Sequence, residues 1–231
     1  EEPLNVLSPF IDIIKAIKFM PKVMWQLALV YLFQWYALFC YWQNASKSIA
    51  QSVWNTHEYQ NNPAYDEAVG WTGLVNGWYN VVTFLSAFFL LWLAKKMSPK
   101  IIHIICLVLA GIGLMIFPNI TDKNLLFVPM TGFGIAWASM MGIPYLLVVN
   151  KIPKERYGVY MGIINMMIVI PMLIQNISFG FILKHHLNND PGKAVSFAGF
   201  FLLIAAVLTL FIKTDKNENN SEEIGPISVG H

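Results

Sequence analysis

The amino-acid sequence predicts an all-α, polytopic membrane protein built around six transmembrane helices. Hydrophobic residues make up 56% of the 231 residues and charged residues 12%, which is about half the charged share of a soluble domain. Crossing the hydrocarbon core of a bilayer takes about 20 helical residues. Six apolar runs come close to that length or exceed it, at 23–43, 69–94, 101–117, 125–149, 157–183 and 194–212. A soluble globular domain is therefore excluded, and the lipid bilayer is the expected environment.

A shorter helix is predicted before the first span, at 8–22. Ser8 followed by Pro9 is a typical helix start, and basic residues recur every three or four positions along one face. These residues are Lys15, Lys18 and Lys22. Isoleucines cover the other face, as in an amphipathic helix that lies on a membrane surface near anionic lipid. We divide the chain into a linker that contains this helix (1–22), a six-helix unit (23–212) and a disordered cytoplasmic tail (213–231).

The distribution of basic residues predicts the orientation in the membrane. Eleven of the 15 lysine and arginine residues fall in segments that a six-span topology places on one side. Those segments are 8–22, 95–100, 150–156 and the tail. Because lysine and arginine accumulate on the cytoplasmic side, we expect a multi-pass protein of the cell membrane with both termini in the cytoplasm.

Polar side chains divide the spans into two groups. The first, second, fourth and fifth spans carry amides and hydroxyls, whereas the third and sixth are almost entirely apolar. We interpret the first group as the lining of a polar space and the second group as outer supports with lipid on almost every side. This three-plus-three pattern is typical of the repeats nested within six-helix transporter halves.

Small residues recur every four positions within three of the spans. They are Gly73 and Gly77, then Gly134, Ala138 and Gly142, then Gly158 and Gly162. Such spacing allows the backbones of neighbouring helices to approach closely. We predict that these positions pack helices together rather than bind a ligand.

Three stretches resemble a known family. They are PYLLVVNKIPKERYGVYMGIINMMIVIP at 144–171, FQWYALFCYW at 33–42 and YDEAVGWTGLVNGWYN at 65–80. The chain is similar to the glycoside–cation symporters of the major facilitator superfamily, in the branch of plant sucrose carriers and bacterial maltose or sucrose permeases. The likeness covers most of residues 3–212 and lies entirely in the C-terminal half of such a carrier.

The resemblance implies a secondary active transporter that moves a disaccharide together with a cation or proton. No aspartate, glutamate, lysine or arginine lies at the middle of any predicted span, although such a residue is the usual sign of ion coupling. In the family, the coupling acid belongs to the N-terminal six-helix half. We therefore expect this chain, which begins with Glu1 rather than methionine, to be a piece of a longer carrier with that half as its partner.

The candidate substrate-binding residues are mid-span amides and one aromatic ring: Gln34, Trp35, Asn80, Asn165, Asn76 and Asn176. Carrier sites form near the bilayer midplane, and Gln34, Asn80 and Asn165 lie close to the middle of their predicted spans. Trp35 is the predicted ring for stacking on a sugar, and the resemblance implies that Trp35 and Asn165 occupy matching family positions. Each amide has a second interpretation, an interhelical hydrogen bond that only holds the bundle together.

Other classes of membrane protein remain as alternatives. An intramembrane metalloprotease is disfavoured because His57 and Glu58 are followed by no second histidine at the required spacing, and the sequence contains no Gly-x-Ser-x-Gly. A six-span channel, a stand-alone six-helix transporter that oligomerises, and a carrier of another small polar solute stay open. We expect no enzymatic activity, no cofactor, no metal and no nucleic-acid partner.

Overall fold

The computed structural model describes residues 8–149, 152 and 156–213, with side chains from Ile13 onward. The elements in this part of the chain are α1 (Ser8–Lys18), α2 (Lys22–Trp54), α3 (Pro63–Ala94), α4 (Pro99–Ile116), α5 (Phe127–Val148), α6 (Tyr157–His185) and α7 (Pro191–Leu210), with 3-10 turns at Phe117–Asn119 and Lys123–Leu126. The all-α prediction is confirmed, and α2 to α7 are each long and apolar enough to cross a membrane. The predicted disordered tail from Thr214 and most of the basic loop lie outside the described residues.

Proline begins three of the spans. Pro63, Pro99 and Pro191 stand in the first turns of α3, α4 and α7, where the missing N–H leaves no hydrogen bond unmade. Asn62 caps α3 by accepting from the N–H of Ala64 at 2.9 Å. Asp190 caps α7 in the same way, through the N–H groups of Gly192 and Lys193. Side-chain caps of this kind satisfy N–H groups that the helix itself leaves unpaired.

The first span is longer than the sequence indicated. We predicted helix over 23–43 and a polar loop over 44–68, but α2 continues to Trp54 and only 55–62 remain outside helices. The apolar face continues beyond residue 43 through Ala45, Ile49 and Ala50, all of which are buried. The helix ends at Asn55, which adopts a left-handed conformation with φ of 49°. The polar residues after Gln43 therefore belong to a helix with one buried face.

The spans differ in how much of their surface the fold covers. α2 packs against α7, α6 and α3, while α4 packs against α7 and α5, and α3 against α5. In the most apolar 18-residue window of α3 and α6, 17% and 22% are buried, against 44–61% in the other four spans. The prediction that α4 and α7 have lipid on almost every side is wrong, because Gly111 and Gly199 bring these two helices into close backbone contact.

The predicted glycine stripes do not pack as expected. A Cβ atom added at Gly134 would approach the backbone oxygen of Tyr79 at 2.6 Å, so this position does bring α5 close to α3. The other glycines of the predicted stripes have no neighbouring atom within 4 Å of that point. They are Gly73, Gly77, Gly142, Gly158 and Gly162. Most of the small-residue surface of α3 and α6 is therefore uncovered in the described part of the chain.

The amphipathic helix α1 lies against α6. Ala16 and Met20 are buried at the start of the fold, whereas Ile14 and Phe19 are 66% and 71% exposed. The exposed apolar side chains stand next to the exposed lysines Lys15 and Lys18. An interfacial position, with apolar side chains in the lipid and amines at the headgroups, remains the prediction for this helix.

Candidate functional site

The depth of each residue in the membrane follows from α7. This helix has 20 residues, or about 30 Å, which equals the thickness of the hydrocarbon core. At one end of α7, Gln26 of α2 donates to the carbonyl oxygen of Phe211 at 2.8 Å. At the other end, Gly192 lies beside Gln51 of α2. The bilayer midplane therefore crosses α2 midway between residues 26 and 51, near residues 38 and 39.

Three tryptophans meet at this depth, in the contact between α2 and α5. Trp137 of α5 makes edge contacts with Trp35 and Trp42 of α2, with ring centroids 5.7 and 5.5 Å apart. Trp35 also contacts the ring of Tyr31 edge-on at 6.2 Å. Trp35 is only 4% exposed, whereas Trp42 and Trp137 are half-buried. We call these four rings the aromatic wedge.

Trp42 lies near the midplane, although the first span was predicted to end at residue 43. Because α2 continues for another 12 residues to Trp54, Trp42 instead lies about 5 Å from the midplane, at 1.5 Å of rise per residue. Its ring contacts Phe39 on the same helix at 5.5 Å.

Four polar atoms in one stretch of α2 are buried without a hydrogen-bond partner in the described structure. They are the hydroxyl of Tyr31, both amide atoms of Gln34 and the indole nitrogen of Trp35. Gln34 has no exposed surface. An unpaired buried polar group costs roughly 1–3 kcal/mol, so a cluster of them marks a place where water or a polar ligand satisfies them.

A chain of amides links α6 to α2 beside the wedge. Gln175 Nε2 donates to Gln43 Oε1 at 2.9 Å, and Gln43 Nε2 donates to Asn176 Oδ1 at 2.8 Å. Asn176 Nδ2 donates to the carbonyl oxygen of Met172 at 2.9 Å. Gln43 and Asn176 are exposed, whereas Gln175 is fully buried and its Oε1 has no partner among the described residues. Asn176 was predicted to face a polar space, and in the structure its hydrogen-bond partner on α2 is Gln43.

The two amides of α3 occupy different environments. Asn76 accepts a hydrogen bond from the hydroxyl of the buried Tyr41 at 2.9 Å, which ties α3 to α2. Asn80 is exposed, and its amide nitrogen donates to the carbonyl oxygen of Asn76, one turn earlier in the same helix. Asn76 thus forms an interhelical hydrogen bond, which was the second interpretation of each amide. Asn80 keeps its Oδ1 on an exposed face of α3.

Asn165 and Asn176 lie on opposite sides of the midpoint of α6. Asn165 is exposed on α6, eleven residues before Asn176, which is about 16 Å along the helix axis. The midpoint of α6 falls at Pro171, six residues from Asn165 and five residues from Asn176. A ligand at the level of Gln43 therefore reaches Asn176, whereas Asn165 lies towards the other end of α6.

Trp137 is the residue of this region that the sequence reading missed. The polar pattern of the fourth span rests on hydroxyls and gives no role to a tryptophan in an apolar run. The signal was its position, since residue 137 is the middle of an apolar run at 125–149 and is too deep for the interface where tryptophans concentrate. The side chains of the wedge and the amide chain are all uncharged types, so the arrangement favours a neutral ligand with many hydroxyl or carbonyl groups.

Comparison with known proteins gives one family. The family model of the Major Facilitator Superfamily matches residues 4–175, about three quarters of the chain. Among the curated proteins, none matches. Six apolar helices with polar side chains gathered at mid-membrane agree with that match. The chain belongs to the major facilitator superfamily, a family of secondary transporters.

Proposed function

We propose that the chain forms the C-terminal six-helix half of a carrier that transports a disaccharide such as maltose or sucrose together with a cation or proton, by alternating access. The observation that carries this proposal is the combination found at the midplane of α2. Aromatic rings lie next to amides, and several of the polar atoms are buried and unpaired. Rings can contact the C–H faces of a sugar, and amides can donate to and accept from its hydroxyls.

Within this proposal the predicted site residues divide by position. Gln34 and Trp35 form the inner wall at the middle of α2, and Asn176 is hydrogen-bonded to Gln43, about two and a half turns further along that helix. Asn80 and Asn165 are exposed on α3 and α6, where a bulky disaccharide or the partner half would meet them. Asn76 positions Tyr41.

The open faces of α3 and α6 support a second six-helix half as the partner. Their glycines have no atoms close by, and exposed amides lie on the same helices. Amides are costly against lipid, so we infer that these faces pack on protein or line a water-filled cavity. The mid-span residues described in this half include no acid. We therefore assign the coupling acid to the partner half.

The same open faces also favour a second candidate, a stand-alone six-helix transporter that forms dimers through α3 and α6. Two reconstitutions separate the candidates. Proteoliposomes that contain residues 1–231 alone are compared with proteoliposomes that contain the complete carrier, in which this chain is joined to the proposed N-terminal half. We also propose that both termini are cytoplasmic in the cell membrane. This orientation is established in the cell, before the protein is purified for reconstitution.

Uptake of labelled maltose and sucrose is measured with and without an imposed proton or sodium gradient. We expect gradient-driven accumulation with the complete carrier and none with residues 1–231. Accumulation by residues 1–231 alone would support the dimer. A complete carrier that moves neither disaccharide under any gradient contradicts the proposed function.

A further inference from the structure

We propose that Trp137 is the ring on which one pyranose unit of the substrate stacks, with Trp42 beside it and Gln43 and Asn176 as hydrogen-bonding partners. The inference rests on the proposed function, since it identifies where in this half the sugar is recognised. It replaces Trp35 as the stacking ring and adds three residues that sequence reasoning did not assign to the site.

Burial distinguishes Trp137 from Trp35. Trp35 is 4% exposed and is enclosed by the rings of Tyr31 and Trp137. A sugar that stacked on it would have to displace one of those rings. Trp137 is half-buried, and its contacts with Trp35 and Trp42 are edge contacts with interplanar angles of 75° and 81°. Neither neighbour lies parallel on Trp137, so its position is fixed by two rings while part of its surface stays accessible.

The accessible residues lie at one level on three helices, and we call them the strip. Trp137 of α5 contacts Trp42 of α2, Gln43 follows Trp42, and Gln43 is hydrogen-bonded to Asn176 of α6 at 2.8 Å. Trp42 and Trp137 are half-buried, and the two amides are exposed. Exposed amides at this depth are unfavourable against hydrocarbon. In this proposal the strip therefore faces a watery cavity, with its two rings towards α5 and its two amides towards α6.

The depth of the strip agrees with that of a carrier site. Trp137 contacts Trp35 and Trp42, which lie on either side of residues 38 and 39, where the midplane crosses α2. Trp137 is also the middle residue of α5, which runs from Phe127 to Val148. Substrate sites of secondary transporters lie near the midplane.

The hydrogen-bonding capacity of the strip fits a neutral polyhydroxyl compound. Gln43 uses one N–H on Asn176, and Asn176 uses one on Met172. Each primary amide has two N–H groups, so in the described structure one donor on each side chain is left to reach a sugar hydroxyl. None of the strip residues is a cationic or acidic type, so an anionic or cationic substrate finds no counter-charge here. A glucopyranose unit, whose C–H bonds at C2 to C5 are axial, matches a flat indole flanked by amide donors.

The test measures apparent affinity for maltose in proteoliposomes that contain the complete carrier. Trp137→Leu removes the ring, Trp137→Phe keeps a smaller ring, and Trp92→Leu removes a tryptophan that is 50% exposed at the far end of α3. We expect the apparent KM to rise about tenfold or more for Trp137→Leu, and about threefold for Trp137→Phe, since ring contacts are worth about one decade. The KM of Trp92→Leu should stay unchanged.

A second readout covers the case in which Trp137→Leu does not fold. In a carrier with Cys40 and Cys106 replaced by alanine, Trp137→Cys is labelled with a small maleimide in the presence of maltose or of mannitol. Maltose should slow labelling at this position at least fivefold, and mannitol should not. Unchanged KM in both Trp137 variants, or labelling that maltose does not slow, overturns Trp137 as the stacking ring while disaccharide uptake by the parent carrier stands. Loss of uptake by the parent carrier itself would instead contradict the proposed function.

Discussion

Gln175 of α6 and Gln43 of α2 share a hydrogen bond of 2.9 Å between Nε2 and Oε1. α6 touches little of the fold except α2 and α1, so this contact is one of a small number of polar links that hold α6 in place. A second link joins the hydroxyls of Tyr36 and Ser178 at 2.8 Å. Because α6 is attached along one side only, its position depends on these few bonds more than that of the other spans does.

Replacing one partner of the Gln43–Gln175 pair should cost more stability than replacing both. Gln43→Leu leaves the fully buried amide of Gln175 without its acceptor, and we expect a loss of about 1–2 kcal/mol. The double variant Gln43→Leu, Gln175→Leu leaves no unpaired amide at this contact, so it should regain about half of that loss. Reversible unfolding in detergent micelles measures all four species. Strictly additive losses would show that the two amides are not coupled.

The topology of the fold was accessible from the sequence because the bilayer imposes a length on every apolar run. All six spans were found, and α6 was placed at 157–183 against an observed Tyr157–His185. The end of α2 was not found, since the run of Asn44, Ser48 and Gln51 looks polar by composition. Its residues alternate between a buried face and an open one, and only the neighbouring α7 decides that this face is covered.

The type of ligand could be predicted from the sequence, but the contacts between the side chains of the site could not. Amides and tryptophans in apolar spans indicate a cavity for a neutral polar ligand, and Gln34 and Asn176 were chosen on that basis. Spacing along one helix says nothing about which rings meet between helices, so the contact of Trp137 with Trp35 and Trp42 could not be derived. The packing partners of the glycine stripes could not be predicted for a related reason. An i, i+4 stripe indicates that a helix packs there, but it does not say whether that helix belongs to this six-helix unit.

The proposed orientation predicts opposite accessibility for two exposed positions. His57 lies between α2 and α3, and Met97, which is 40% exposed, lies between α3 and α4. In the complete carrier with Cys40 and Cys106 replaced, His57→Cys should react in intact cells with a membrane-impermeant maleimide. Met97→Cys should react only after the cells are opened, because basic loops stay in the cytoplasm. Labelling of position 97 but not 57 in intact cells would reverse the orientation.

Gln34→Leu should stabilise the protein and weaken substrate binding. Gln34 is fully buried with both polar atoms unpaired in the described structure, so leucine removes a desolvation cost of about 1 kcal/mol or more. In the proposed function the substrate-bound carrier opens Gln34 to the sugar, so loss of this amide should raise the apparent KM for disaccharide about tenfold. The matched control is Gln26→Leu on the same helix, which breaks bonds to Phe211 and Lys213. It should lower stability and leave KM unchanged. A destabilised Gln34→Leu carrier with normal KM would make Gln34 a structural residue.

A larger side chain should lower the stability of the six-helix unit at Gly199 but not at Gly162. A Cβ atom at Gly199 would lie 2.5 Å from the backbone oxygen of Gly111 and 2.8 Å from the backbone nitrogen of Met115. Neither atom can move aside, so Gly199→Ala should lose about 1–3 kcal/mol of stability in the six-helix unit.

Gly162 has nothing within 4 Å, so Gly162→Leu should leave that stability unchanged. If the proposed partner half packs on α6, however, Gly162→Leu should block close helix approach. Co-purification of separately expressed halves then falls severalfold, and a normal yield would show that this face of α6 is not the interface.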